Sequence, residues 1–209
     1  MPARVELLLA SSNPGKLREY QVLAAGRGMD VALLREIERL PKFDESAPTF
    51  AENAAGKALH YSRFVELPVI ADDSGLVVPT LGGAPGVQSA RYAGPGASDA
   101  ARVRKLLEEL RRKAVSDRRA GFVCVLALAE RGHMRAVFSD FVAGELLEAP
   151  RGEQGFGYDP IFFYPPLGKS FAELPRGEKN LHSHRGKAFR KLLDFLELNR
   201  GAGRARRKA

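Results

Sequence analysis

The chain has 209 residues, 44% of them apolar and 28% charged, with a formal charge of +8 and a single cysteine, Cys124. That length can bury a full core as one domain, and the composition excludes a disordered or collagen-like chain. The longest apolar stretch, 120–129, is half the ~20 residues a membrane helix needs, Glu6 interrupts the only apolar run at the amino end, and a lone cysteine excludes an internal disulfide, so a cytoplasmic protein is expected.

Residues 5–10 read as a buried strand, followed by a polar turn over Ser11, Ser12, Asn13, Pro14 and Gly15. Leu17, Tyr20, Leu23 and Ala24 then recur at helical spacing until Gly26. A second short strand is expected at 31–34 and a polar loop over 41–48. Thr49 and Glu52 have capping-box spacing and open a helix to about residue 65, with Ala54, Ala55, Ala58 and Tyr61 inward. Strands at 69–71 and 76–78 are separated by an acidic turn, Asp72-Asp73-Ser74-Gly75. The Gly/Pro-rich stretch 82–96 is a loop long enough to expect function there. Ser98 caps a helix whose Val103, Leu106, Leu107 and Leu110 form one apolar face. Residues 122–129 and 134–142 flank Glu130-Arg131-Gly132-His133 and read as a β-hairpin. A further strand is expected at 161–164. A closing helix carries Phe189, Leu192, Leu193 and Leu196 at core spacing.

Helices and strands are interspersed, so the expected class is α/β with a mixed sheet. One domain is expected over 1–199, followed by a basic, disordered tail over 200–209. That tail holds Arg200, Arg204, Arg206, Arg207 and Lys208 and no acid, so it supplies five of the eight net positive charges. A solvated tail is the favoured reading; a nucleic acid partner is at most weakly and salt-sensitively attracted through it.

Several segments carry groups suited to chemistry. Residues 11–16 join a strand to a helix start, where backbone N–H groups and the helix dipole suit an anion and Lys16 adds a cation. It is not a P-loop, because the earlier glycine is missing and Leu17 stands where a Ser or Thr is needed. On spacing alone a plain polar turn is the somewhat stronger reading. Asp72 and Asp73 end an apolar run; successive strand residues face opposite sides, so their roles need not be shared. A solvated turn competes evenly with a functional acid pair. Asn53 and Lys57 share a helix face, which reads first as exposed surface. In Gly155-Phe156-Gly157-Tyr158-Asp159-Pro160 the glycines let a loop press close to a flat ligand, on which Phe156 would stack while Asp159 accepts from a ring N–H. A buried aromatic turn is the bland alternative. Lys179, His184 and Arg185 offer donors just before the closing helix. The four histidines, at 60, 133, 182 and 184, have no zinc-site spacing, and Cys124 reads as a core residue.

Taken in order, Ser11 to Lys16, Glu52-Asn53-Ala54, 71–76, 82–87, 155–160 and 178–186 resemble the inosine triphosphate pyrophosphatase family, over about residues 5–198. The resemblance implies an elongated α/β fold, a mixed β-sheet with flanking helices in two lobes around a central active-site cleft. It implies Mg2+-dependent hydrolysis of non-standard purine nucleoside triphosphates (ITP, dITP, XTP) to the monophosphate and pyrophosphate, which cleanses the nucleotide pool. Asp73 is then metal ligand and general base, and Asp44, in preference to Glu45, the second metal ligand. Lys16 and Lys57 face the phosphates, with Ser11, Ser12, Asn13, Pro14 and Gly15 binding the triphosphate and Ser74 beside phosphate or base. Phe156, Gly157, Tyr158, Asp159, Lys179, His184 and Arg185 take the base, and a homodimer is implied. The chain departs from the family at Ser11-Ser12, where Thr-Gly is usual, and at His182, where an apolar residue is commoner. Two alternatives stand beside this reading. One is a related pyrophosphatase acting on other nucleotides, including pyrimidines, against which Ser183-His184-Arg185 speaks. The other is a nucleic-acid-binding protein, which leaves the carboxylate pair unexplained and lacks aromatics interleaved on a basic face.

Overall fold

The computed structural model describes residues 5–114 and 116–206, with the side chains of Val5 and of 200–206 left aside. Seven strands form one sheet: β1 (Val5–Leu9), β2 (Met29–Leu33), β3 (Val69–Val77), β4 (Arg119–Glu130), β5 (His133–Leu146), β6 (Phe162–Tyr164) and β7 (Lys169–Ser170). Their order is β2-β1-β3-β4-β5-β6-β7. β1 runs parallel to β2 and β3, and every later pairing is antiparallel, so the sheet is mixed as expected. The helices are α1 (Pro14–Ala24), α2 (Phe50–Tyr61), α3 (Asp99–Lys113), α4 (Arg176–His182) and α5 (His184–Arg206).

Strand alternation sorts the core. On one face Ile70, Leu126 and Leu128 pack with Tyr20 of α1 and Phe189, Leu192 and Leu193 of α5. On the other, Val69, Ala71, Val125 and Ala127 meet Ala54, Ala58 and Tyr61 of α2. A third cluster, around Leu106 and Leu110 of α3 with Phe122, Phe162 and Phe171, builds the far end of the sheet. Small residues at 54, 58, 71 and 127 let α2 lie close to β3 and β4. The hairpin turns through Arg131 (φ 49°) and Gly132 (φ 78°), the left-handed pair that matches strand twist in a two-residue loop.

Four local expectations change. The acidic turn at 72–75 is absent: β3 is one unbroken strand, and Asp72 and Asp73 are buried in it. Charged partners on the flanking helices replace the water that a turn would have offered. Helix α2 ends at Tyr61, capped by Ser62, short of residue 65. The short helix α4 falls where no apolar period marked one. The closing helix continues through the backbone of 200–206, where a disordered tail was expected; once nucleated, a helix propagates at little cost. Residues 207–209 lie outside the described residues. Among the described residues no helix is long and apolar enough to cross a membrane.

Candidate active site

Asp72 and Asp73 lie where β3 passes between the helices, and the pleat sends them to opposite faces. Asp72 faces α1 and α5. Its Oδ1 lies 2.5 Å from Lys16 Nζ and its Oδ2 accepts from Arg185 Nε at 2.9 Å. Burial alone would raise its pKa, but Lys16 and Arg185 hold it well below the carboxylate range. Asp73 faces α2, where its Oδ2 accepts from Asn53 Nδ2 at 3.0 Å. Burial pushes the Asp73 pKa up, against the Asn53 hydrogen bond and the cations Lys16 and Lys57.

A cleft of ≈ 810 Å³, open mouth included, runs over this point. Asn13, Lys16, Asp73 and Ser74 line it from the β1–α1 turn and β3. Phe156, Gly157, Tyr158 and Asp159 line it from the loop before β6, and Lys179, His184 and Arg185 from the α4–α5 junction. Five of the six motif segments reach this cleft, 82–87 through Val87, whereas 52–54 does not line it. Ser11, Ser12, Pro14 and Gly15 sit in the turn beneath. Gly15 packs so tightly under the Phe156 ring that a Cβ there would lie 2.7 Å from it.

The β1–α1 turn is less open to an anion than its sequence suggested. Asn13 Oδ1 accepts from Gly15 N (2.8 Å) and Lys16 N (3.4 Å), and Ser11 Oγ accepts from Asn13 N (3.1 Å). Asn13 is the N-cap of α1 with Pro14 at the first helical position, so three backbone donors are already engaged by side chains. The positive charge offered at this end is chiefly that of Lys16.

The acid placed opposite Asp73 is Glu45, not Asp44. Residues 43–47 alternate in exposure as an extended segment does, so neighbouring side chains face opposite ways. Glu45 lines the cleft and pairs with Lys57 Nζ at 3.1 Å, whereas exposed Asp44 accepts from Ser46 Oγ at 2.6 Å and is not in the lining. Lys57 is buried on α2, pairs with Glu45 and is not in the cleft lining, but its charge also acts on Asp73. Two acids converging on one cleft suit Mg2+, which takes one or two carboxylates and completes its shell with phosphate oxygens and water. Among the described residues no group of three or more His, Cys, Asp or Glu is assembled for a fully protein-ligated ion.

At the other end, Lys179 Nζ lies 2.7 Å from Glu19 Oε1 and 2.5 Å from Asp159 Oδ2, and Arg185 Nη1 lies 2.6 Å from Glu19 Oε2. Arg185 Nη2 also donates to Ser74 Oγ at 2.7 Å. Despite burial, the flanking Lys179 and Arg185 keep the Glu19 pKa below its ordinary value. Asp159 also accepts from Phe156 N at 2.9 Å, so it holds the aromatic loop as well as the lysine. Both cations lie over the Phe156 ring, at 4.9 Å for Lys179 and 5.3 Å for Arg185. The His184 ring stacks on Phe122 at 4.6 Å, and its buried Nδ1 has no hydrogen-bond partner among the described residues. Burial, then Arg185 and Lys179, lower its pKa far enough to keep it neutral.

Glu19 has no place among the site residues expected from the sequence, nor do Arg91, Arg102 and Phe122, which line the cleft. The apolar period of α1 was assigned to Leu17, Tyr20, Leu23 and Ala24, but the buried positions are Gly15, Glu19, Tyr20 and Ala24. Its signal was spacing: Glu19 follows Lys16 by one helical turn and lies beside Tyr20 on the inward side. Tyr158 and Gly157 are held from further away, by Ser89 O (3.0 Å) and Asp99 Oδ2 (2.7 Å).

Residues 7–195 match the Ham1 family. The chain belongs to that family. A Ham1 relative from Geobacillus kaustophilus (strain HTA426), named dITP/XTP pyrophosphatase, is 50% identical over 200 residues, covering 95% of this chain and 98% of its own. One of the same name from Syntrophobacter fumaroxidans is 48% identical over 194 residues, covering 93% and 80%. The HAM1 protein structure from Coxiella burnetii superimposes with a TM-score of 0.83 at 43% identity, covering 92% of this chain and 98% of that one. The Staphylococcus aureus Ham1 structure gives 0.81 at 41%, covering 93% and 99%. The family resemblance read from the motifs and the mixed α/β Ham1 fold are both borne out.

Proposed function

We propose that the protein hydrolyses non-standard purine nucleoside triphosphates, ITP, dITP and XTP, to the monophosphate and pyrophosphate, and so cleanses the cytoplasmic nucleotide pool. The observation that carries this is one cleft with three chemistries in sequence. Acids Asp73 and Glu45 stand at one end, Lys16 between, and Phe156 with Lys179, His184 and Arg185 at the other. The names of relatives about half identical to this chain support the same substrate class.

In this reading Asp73 and Glu45 would hold Mg2+. When bound, the ion supplies charge neutralisation at the phosphate oxygens and acidifies water. Asp73 orients the attacking water and takes its proton as the new P–O bond forms at the α-phosphorus and the bond to the bridging oxygen breaks. Lys16 screens the charge that builds on the departing pyrophosphate, an electrostatic contribution from a fixed cation. Lys57 keeps the Glu45 carboxylate in place. Phe156 stacks on the base, while His184 Nδ1 and donors of the Lys179–Arg185 cluster meet its oxo edge. A homodimer goes with this reading, and exposed Val137 and Phe141 on β5 offer apolar surface for it.

The test is pyrophosphate release from ITP, dITP, XTP, ATP, GTP and UTP with Mg2+. Preferential release from the first three is expected. No release from dITP or XTP, or equal use of UTP, overturns the reading.

A further inference from the structure

Asn53 lies on the inner side of α2 and is 1% exposed. Its Oδ1 accepts from Ala47 N at 3.1 Å, and its Nδ2 donates to Ala47 O at 3.2 Å and to Asp73 Oδ2 at 3.0 Å. Both amide hydrogens and the oxygen are therefore in use. The orientation is forced: a flipped amide would set oxygen against Ala47 O and Asp73, and N–H against N–H. Ala47 is two residues beyond Glu45 in the extended 43–47 segment, so the two share a side. The segment is pinned again where Phe43 N donates to Tyr61 Oη (3.3 Å), where the Phe43 ring lies over Gly56, and where Arg91 donates to Glu45 O (2.8 Å). None of these ties reaches Asp73. Asn53 hydrogen-bonds both the segment and Asp73.

We propose that Asn53 is a positioning residue that fixes the Glu45 segment against Asp73, so that the two carboxylates address one divalent cation. This rests on the metal-dependent reading above. By engaging Oδ2, Asn53 also restrains the rotation of the Asp73 carboxylate, which lines the cleft. Asn53 holds Asp73 directly and Glu45 through the backbone of Ala47, whereas Lys57 pairs with Glu45 and acts on Asp73 only through its charge. Groups that orient metal ligands in this way typically govern metal affinity by ~10–100-fold.

The test uses Asn53→Ala and Asn53→Leu, the second keeping most of the volume without any hydrogen bond. Thr49→Ala is the structural control: it removes the cap at the start of the same helix without touching the 43–47 segment or Asp73. Mn2+ alone is titrated into each protein and followed by the electron paramagnetic resonance of the free ion, alongside melting curves and dITP kinetics. We expect the Mn2+ dissociation constant to rise ~10–100-fold in both Asn53 variants. Turnover should fall while KM for dITP at saturating Mg2+ stays near wild type. Thr49→Ala should lower the melting temperature with Mn2+ affinity and turnover unchanged. Wild-type Mn2+ affinity in either folded Asn53 variant overturns the proposal, as do equal losses in Thr49→Ala at a matched drop in melting temperature. If wild type released no pyrophosphate from dITP, the function would fall, while the Mn2+ titration would still decide the role of Asn53.

Discussion

Lys179 Nζ lies 2.7 Å from Glu19 Oε1, a contact between residues 160 positions apart and each about 3% exposed. The same carboxylate holds Arg185 through its other oxygen. One acid on α1 therefore sets the spacing of two cations from the α4–α5 junction. Glu19→Ala would leave Lys16 and the buried Lys179 and Arg185 with only Asp72 and Asp159 as counter-charges, and an uncompensated buried charge costs about 3–5 kcal/mol. Melting and denaturant curves should show that loss, and preference for ITP over ATP should fall with it. Unchanged stability in Glu19→Ala would refute the buried bridge.

Asp73→Asn keeps the shape of the side chain and removes its charge. Turnover should fall at least ~100-fold, the scale of losing a positioned acid–base group, with a near-normal melting curve. Near-normal turnover would remove Asp73 from the mechanism.

Hypoxanthine and xanthine present an acceptor at C6, whereas adenine presents a donor. A site built on donors discriminates on that edge by up to ~10⁴-fold. Arg185 already spends three donors on Asp72, Glu19 and Ser74, so Arg185→Ala should lose stability as well as discrimination. The measurements are kcat/KM for ITP, XTP, ATP and GTP together with a melting curve. Equal values for ITP and ATP in the wild type would refute base reading through donors.

His184 is held neutral by burial, then by Arg185 and Lys179, with Lys16 adding to the effect and Asp72 opposing it. Its folded pKa lies below the unfolded value near 6.5, so the unfolded chain takes up the proton first. Stability from this residue is full above about pH 6.5 and drains away as the pH falls below it. His184→Phe keeps a ring against Phe122 and cannot titrate. It should flatten the fall of melting temperature between about pH 6.5 and 5; an identical slope would show that another group is responsible.

Removal of 200–209 should leave ITP hydrolysis near wild type, because among the described side chains Leu196 is the last of α5 packed on the core. Any affinity for nucleic acid should weaken and lose part of its salt dependence. Loss of hydrolysis on truncation would tie those residues to the site or the assembly.

The elements with strong periods were readable in advance: α3 from Val103, Leu106, Leu107 and Leu110, and the hairpin from its Arg131-Gly132 turn. The strand through Asp72 and Asp73 was not, because carboxylates in sequence signal water, and the cations that replace water come from residues 16 and 185. Glu19 hid for the same reason: a charged residue on an inward helix face is explained only by partners 160 and 166 positions away. Asp44 and Glu45 differ by one step of an extended segment, and which of them turns inward is set by Asn53 and Ala47, contacts that local spacing does not encode. The helical backbone of 200–206 is not legible in its Gly/Ala/Arg composition, because it is an extension of the helix that begins at His184.

Terminal helices are ordinarily the first part of a domain to fray, but α4 and the opening turns of α5 hold the counter-charges for Glu19, Asp72 and Asp159. Peeling them away would strip Glu19 and Asp159 of their cations and leave Asp72 with Lys16 alone. Opening of this segment should therefore be nearly as costly as complete unfolding, and its amides should exchange with solvent at close to the global rate. On the proposed function, such a molecule should have no half-open form in which the cleft still turns over nucleotides without the residues proposed to read the base. A chain caught mid-unfolding should fall silent before it can become an indiscriminate pyrophosphatase.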